Sequence, residues 1–127
     1  MTGPEMVDLC EFRRTGVHMV DEAIAGTVRR YLQELGKKGI AAQFAVVFGS
    51  QVSGRSDAFS DIDLLVVSPR FDEKRSRTDV NLLWQVAART DSRIEPIAVG
   101  VLQYEEDDGS AIVEIARREG QKVYPVV

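Results

Sequence analysis

The chain has 127 residues, of which 44% are apolar and 28% are charged, and its formal net charge is −4. This length suits one domain, the composition is too apolar for a disordered chain, and the acidic balance argues against direct nucleic-acid binding through the phosphates. The single cysteine, Cys10, excludes an intrachain disulfide, and neither a membrane helix nor a signal peptide is expected. We therefore predict one domain over residues 1–127 in a cytoplasmic protein, with residues 1–15 as a candidate flexible N-terminus.

The first half of the chain predicts one helix and two strands. Residues 17–35 carry apolar side chains every three or four positions, which is typical of an amphipathic helix. Residues 44–48 form a short β-favouring run that ends at Gly49 and Ser50, where a short helical turn is expected. Residues 61–67 are continuously apolar in their second half, as in a central strand, but their first half carries two aspartates.

The second half predicts a helix, a third strand and a last helix. Thr78 or Asp79 is expected to cap a helix that ends near residues 89–91 and buries Val80, Leu83 and Trp84. Residues 94–101 predict a strand, and residues 105–109 a loop before a helix over residues 110–118. A basic cluster is expected to lie in a solvated loop: Arg70, Lys74, Arg75 and Arg77. The alternation indicates the α/β (α+β) class, with a small mixed sheet packed against helices.

The most informative segment joins Gly49-Ser50 to Asp61-Ile62-Asp63 across ten intervening residues. Asp61 and Asp63 share one face of a strand while Ile62 points into the core. Two adjacent carboxylates repel each other unless a cation lies between them, and such oxygen ligands suit Mg²⁺ together with phosphate oxygens. Gly49 allows a phosphate to approach the backbone, and Ser50 offers N–H groups and a hydroxyl to it. The segment therefore predicts a phosphate cradle beside a metal clamp.

Each half of this segment also has a plainer interpretation. Gly49-Ser50 could be a simple turn, and Asp61 and Asp63 could merely lie at the solvent end of a strand. Two rival motifs fit less well. The stretch from Gly49 to Ser56 is close to the P-loop pattern, but Arg55 replaces the lysine and no amphipathic helix follows. In an aspartyl-phosphate phosphatase the carboxylate pair would follow an apolar strand, whereas here it precedes one.

The segment VVFGSQVSGRSDAFSDIDLLVVS resembles the Gly-Ser-x10-Asp-x-Asp signature of minimal nucleotidyltransferases in the DNA polymerase beta superfamily. DSRIEPIAVG is similar to the third strand of that family, and AIVEIARREGQKVYPVV to its last helix and short strand. The resemblance spans residues 44–127, and the N-terminal helix is less diagnostic. It implies the polymerase beta-like nucleotidyltransferase fold.

The resemblance also implies the chemistry of the site. Asp61, Asp63 and Glu95 would be catalytic and would hold two Mg²⁺ ions, with Glu95 also a candidate to activate the acceptor hydroxyl. Gly49, Ser50 and Arg55 would bind the triphosphate. Arg55 is included because Gln51 stands where many members carry Arg or Tyr, so that phosphate contact would move to Arg55. The implied reaction transfers a nucleotidyl group, usually AMP from ATP, and releases pyrophosphate.

The acceptor is less defined by the sequence. The chain looks most like stand-alone members that are paired with a helical HEPN-type RNase toxin, so we expect an antitoxin that modifies such a protein partner. The alternatives are a binding module that neutralises the toxin by occlusion, and transfer to a small molecule such as an aminoglycoside. The nucleotide's base and a homo-oligomeric state stay open.

Overall fold

The structure is a computed structural model, and it describes residues 22–49, 61–73, 76–106 and 109–126. Within these ranges it contains five helices and four strands, which confirms the predicted α+β class. In chain order they are α1 (Glu22–Lys37), β1 (Phe44–Phe48), β2 (Ile62–Val67), α2 (Arg70–Glu73), α3 (Arg77–Thr90), β3 (Ile94–Val99), α4 (Val101–Glu106), α5 (Ala111–Glu119) and β4 (Gln121–Val123). None of the described helices is both long and apolar enough to cross a membrane.

The four strands form one mixed sheet in the order β3-β2-β1-β4. β1 pairs antiparallel with both β2 and β4, whereas β2 and β3 run parallel. The register places Phe48 beside Asp63, and Asp63 beside Glu95. The end of β1 and the starts of β2 and β3 therefore meet at one edge of the sheet.

Helices cover the two faces of this sheet unequally. The first face packs on α1 and α3, and its buried strand residues are Ala45, Val47, Ile62, Leu64, Val66, Ile94, Ala98 and Val123. The second face packs on α4 and α5, and its buried strand residues are Phe44, Val46, Leu65, Val67 and Val99. Because side chains alternate along a strand, Asp63 and Glu95 belong to this second face. On this face, burial decreases toward the starts of β2 and β3, where Asp63 and Glu95 lie. Leu65 is fully buried, Asp63 is partly buried, and Ile97 is 36% exposed.

The helix pair on the first face is joined by a buried side chain. The Tyr31 hydroxyl of α1 donates a hydrogen bond to the Leu83 carbonyl of α3 over 2.9 Å, and burial raises the pKa of this phenol far above its usual value. Leu83 is fully buried as predicted, and Val80 is partly buried. The prediction that Trp84 lies in the core is wrong, because its side chain is 48% exposed. Trp84 is not part of the buried face of α3, which includes Leu83, Val86 and Ala87.

The bounds of α1 and α3 differ from those predicted. α1 begins at Glu22 and runs to Lys37, two residues past the predicted end, and residues 17–21 lie outside the described part. α3 is capped by Ser76, whose hydroxyl accepts a hydrogen bond from the Asp79 N–H at 3.1 Å, and not by Thr78 or Asp79. The Asp79 side chain is instead engaged by an arginine.

The third strand is shorter than predicted, because a helix begins where its last residues were expected. The Asp72 carboxylate accepts hydrogen bonds from the N–H groups of Val101 and Leu102, both at 3.0 Å. These bonds satisfy free donors of the first turn of α4, so β3 ends at Val99. Glu105, which was expected in a loop, belongs to α4.

Arg70 is exposed, as predicted for the basic cluster, but it lies in a helix and not in a loop. It lies in α2, and its Nε and Nη2 each donate a hydrogen bond of 2.9 Å to Asp79. Asp79 is only 5% exposed, and these bonds hold the pKa of its carboxyl below its usual value. Arg77 is exposed at the start of α3, whereas Lys74 and Arg75 lie outside the described residues. The Arg70–Asp79 pair therefore ties α2 to α3.

Asp79→Asn should lower the melting temperature at neutral pH, because the substitution removes the charged acceptor of both hydrogen bonds. Since the folded-state pKa of Asp79 lies below its unfolded value, the stabilisation is present above about pH 4 and is lost as the pH falls through the folded-state pKa. Thermal unfolding of both proteins between pH 7 and pH ~2.5 measures this. A difference in melting temperature that stays constant over the whole range would contradict the assignment.

Candidate active site

The three predicted carboxylates come together at the edge where β2 and β3 begin. Asp61 directly precedes β2 and is exposed, whereas Asp63 and Glu95 are partly buried neighbours in the parallel register. The Ile62 N–H, between the two aspartates, donates to the Arg93 carbonyl at 2.8 Å. This bond continues the pairing of the two strands up to the acidic residues, so the backbone itself fixes their relative positions.

The carboxylates perturb one another electrostatically. The pKa of Glu95 is raised, first by the hydrogen bond that its protonated carboxyl donates to Asp61, then by burial and by the charges of Asp61 and Asp63. The pKa of Asp63 is raised by burial and by the charge of Asp61. Both shifts express the cost of holding like charges together away from water. A cation bound here would remove that cost.

Gly49 lies against this acidic group at the end of β1. Its φ of +78° is in the left-handed region, which only glycine adopts readily. A Cβ added at this position would lie 3.3 Å from Cγ of Asp63 and nearer still to Oδ2. The backbone at Gly49 therefore approaches the carboxylate as closely as a residue without a side chain allows. Ser50 and Arg55, the other residues predicted to bind phosphate, lie outside the described residues and stay predictions.

The donor set can be compared with what a magnesium ion requires. Among the residues that the structure describes, no group of three or more His, Cys, Asp or Glu side chains is arranged to hold a metal by itself. Mg²⁺ normally keeps several waters and takes one or two carboxylates together with substrate phosphates. The partly buried carboxylate of Asp63, with exposed Asp61 and the glycine beside it, fits a cation shared with a triphosphate better than a closed protein cage.

A family model described as a nucleotidyltransferase domain matches residues 27–122. The chain belongs to this nucleotidyltransferase domain family. The match includes α1 from residue 27. It also includes Asp61, Asp63 and Glu95, which together form what we call the acidic edge. Membership confirms the broader resemblance inferred from the sequence, and it supports nucleotidyl transfer from a nucleotide substrate as the general activity.

A solved structure shows the same nucleotidyltransferase fold. The crystal structure of a presumed nucleotidyltransferase from Sulfolobus solfataricus is 14% identical, with a TM-score of 0.52, and the alignment covers 79% of this chain and 78% of that one. At this identity the likeness concerns the fold alone. No curated protein matches the chain.

Sequence reasoning missed two residues beside the acidic edge. Asp91 and Arg93 form an ion pair with 2.7 Å between Oδ2 and Nη2, directly before β3. The only signal in the sequence is an Asp-x-Arg ahead of an apolar run, which is too common to single out. Their importance depends on the backbone hydrogen bond that places Arg93 beside Ile62, between the two aspartates.

Gly49→Ala should weaken binding of Mg²⁺·ATP by about tenfold or more, because the new Cβ forces Asp63 out of place. Gly39→Ala is the matched control, since Gly39 also has a positive φ, +100°, but a Cβ there meets nothing within 4 Å. Both variants should lose about 1–2 kcal/mol of stability to the strained backbone. Calorimetric titration with Mg²⁺·ATP should separate them, and equal affinities would place the phosphate cradle elsewhere.

Asp63→Asn should abolish Mg²⁺-dependent ATP binding and yet raise the melting temperature at pH 7. The folded-state pKa of Asp63 is raised, so the wild type loses stability as the pH rises through that pKa, whereas the asparagine variant does not. The two melting temperatures should converge near pH ~3, where the carboxyl is protonated in both states. Thermal unfolding and calorimetry check the two parts separately, and unchanged ATP affinity would remove Asp63 from the site.

Proposed function

We propose that this domain uses Mg²⁺ to transfer AMP from ATP to a hydroxyl group of a protein partner, a HEPN-type toxin. The observation that carries the proposal is the parallel register that sets Asp63 beside Glu95, with Asp61 on the same face and Gly49 against Asp63. Within the nucleotidyltransferase family, such an edge is suited to binding a triphosphate through a shared cation. ATP, rather than another nucleoside triphosphate, is part of the proposal that rests on the sequence resemblance.

The residues of the acidic edge would divide the work. Asp61 and Asp63 would hold Mg²⁺ together with phosphate oxygens, and Glu95 would help to hold a second ion or accept the proton of the acceptor hydroxyl. When bound, the ions supply Lewis-acid stabilisation of the charge that develops on the phosphates. Ser50 and Arg55 would bind the triphosphate beside Gly49.

The reaction can be written in terms of these groups. The acceptor oxygen forms a bond to the α-phosphorus, the bond from that phosphorus to the bridging oxygen of the β-phosphate breaks, and pyrophosphate leaves. The hydroxyl proton passes to Glu95. Glu95 can accept this proton because it carries a carboxylate at the acidic edge, and a positioned carboxylate is a common general base.

A protein acceptor is favoured by the surface next to the acidic edge. Ile97 lies two residues after Glu95 on the same strand and face, and it is 36% exposed. The helices on this face also carry exposed aliphatic side chains, at Leu102, Ile112 and Ile115. Exposed aliphatic groups suit a protein surface better than a phosphate backbone, and the net charge of −4 also disfavours a nucleic-acid acceptor.

The same aliphatic side chains support a second candidate function. A domain that binds the toxin through Leu102, Ile112 and Ile115 would neutralise it by occlusion alone, without any chemistry at the carboxylates. The two functions differ in one respect that can be measured. Transfer requires Glu95, whereas occlusion does not.

Glu95→Gln should keep Mg²⁺·ATP binding through Asp61 and Asp63 but reduce transfer by about 10²–10⁴-fold, the usual contribution of a general base. The amide can neither bind a cation as a carboxylate does nor accept the proton. Wild type and variant are incubated with labelled ATP, Mg²⁺ and the HEPN-type protein encoded in the adjacent reading frame. The readout is a mass increase of one or more AMP units on the partner.

Two results would count against transfer. One is a wild type that silences the toxin without labelling the partner, which would favour occlusion. The other is a Glu95→Gln variant that labels the partner as fast as the wild type, which would remove Glu95 from the reaction. ATP affinity, measured in parallel by calorimetry, distinguishes a failure of chemistry from a failure of binding.

A further inference from the structure

An arginine lies next to the acidic edge, directly before the strand that carries Glu95. The parallel register pairs Ile62 with Ile94, and the Ile62 N–H donates to the Arg93 carbonyl at 2.8 Å, so the backbone of Arg93 lies beside the residue between Asp61 and Asp63. Arg93 also precedes Glu95 by two residues. Neighbouring strands are about 4.8 Å apart, a distance that an arginine side chain easily spans. A guanidinium at this position can compete with a metal ion for binding to the carboxylates.

The guanidinium is instead engaged by Asp91. Its Nε donates to Oδ1 at 3.0 Å, its Nη2 donates to Oδ2 at 2.7 Å, and the backbone N–H of Arg93 adds a third bond of 3.0 Å to Oδ1. The side chains of Arg93 and Asp91 are 29% and 18% exposed, so water weakens this ion pair less than one on the open surface. The pKa of Arg93 is raised by its hydrogen bond to Asp91, whereas the pKa of Glu95 responds to Asp61 and Asp63.

The backbone holds Asp91 firmly in place. Its N–H donates to the Ala87 carbonyl at 2.8 Å, which closes the C-terminus of α3, and its own carbonyl accepts a bond of 3.0 Å from Ile94. Asp91 is therefore attached both to the helix under the sheet and to the strand that carries Glu95. Its carboxylate can direct the arginine because it cannot itself move far.

We propose that Asp91 is a positioning residue that holds the Arg93 guanidinium away from Asp61, Asp63 and Glu95, so that these carboxylates bind a divalent cation and not the protein's own arginine. The proposal rests on the proposed function, since it assumes that the acidic edge binds a metal. In this proposal Asp91 does not itself bind nucleotide or metal, and its effect on the metal passes through Arg93.

The test uses Mn²⁺ as the probe, with binding to the protein alone followed by the loss of the free-ion electron paramagnetic resonance signal. Asp91→Ala removes the carboxylate that engages the guanidinium and should raise the dissociation constant for Mn²⁺ by about 10–100-fold, the usual effect of a residue that orients a metal site indirectly. Arg93→Gln alone should leave the constant within about twofold of wild type. The double variant Asp91→Ala/Arg93→Gln should recover most of the lost affinity, because no guanidinium remains to compete.

Asp79→Asn is the matched control, because Asp79 also accepts two hydrogen bonds from one arginine but lies on the link between α2 and α3. It should lower the melting temperature and leave Mn²⁺ affinity unchanged. The AMP-transfer rate of each variant, measured at saturating metal, should be close to that of the wild type if only metal affinity has changed.

The outcomes separate the inference from the function on which it rests. If the wild type binds no Mn²⁺ without nucleotide, the inference is wrong, whereas the proposed function is tested separately by calorimetric binding of Mg²⁺·ATP. If the wild type binds Mn²⁺ but Asp91→Ala binds it equally well, only the inference is wrong. If the double variant stays as weak as Asp91→Ala, Asp91 shapes the backbone and does not restrain the arginine, which also overturns the proposal.

Discussion

Parallel pairing between β2 and β3 forces carboxylates together, and the rest of the site depends on this constraint. The register that aligns Leu65 with Ile97 and Val67 with Val99 also aligns Asp63 with Glu95. A shift of one residue would relieve the repulsion, but it would turn every buried side chain of these strands to the wrong face. The hydrophobic register therefore overrides the electrostatic preference, and the raised pKa values of Asp63 and Glu95 express the resulting conflict.

The sheet can tolerate this conflict because the two ends of β2 have different environments. Residues 64–67 are fully buried between helices on both faces, and burying each such aliphatic side chain contributes about 1.5–3 kcal/mol. At the opposite end, where β2 begins, Asp63 is only partly buried and Asp61 is exposed. Water reaches the charges at the end where a substrate would also have to enter. Stability and reactivity are thus carried by different halves of one strand.

Sequence reasoning identified the elements that local patterns define, and it failed where a distant partner decides. The apolar runs predicted β1 and β2 closely, and the spacing of Gly49, Asp61 and Asp63 led to the acidic edge. The end of β3 was misplaced because the Asp72 carboxylate, distant in sequence, caps α4. The placement of Arg70 in a loop was wrong, because Arg70 lies in α2 and pairs with Asp79 of α3, nine residues away.

Within the site, Glu95 shows the same contrast between what a local pattern reveals and what a distant partner decides. Its residue type and its place at the head of an apolar run are visible in the sequence, but its partner is not. Only the strand order, with β3 next to β2 and not next to β1, places it beside Asp63. The resemblance to a family supplied that topology in advance, whereas periodicity alone would have allowed Glu95 to lie at the far edge of the sheet.

The two arginine–aspartate pairs show how the surroundings of an acidic site limit where cations can lie. Arg70 of α2 pairs with Asp79 of α3, so this pair contributes to the fold independently of the site. Arg93 directly precedes the strand that carries Glu95, and an unrestrained guanidinium there would neutralise part of the charge of the carboxylates. Asp91, on the turn between α3 and β3, accepts two hydrogen bonds from this guanidinium. We infer that the acidic edge thereby keeps its negative potential although a positive charge lies beside it, and in the proposed function this potential would attract a divalent cation.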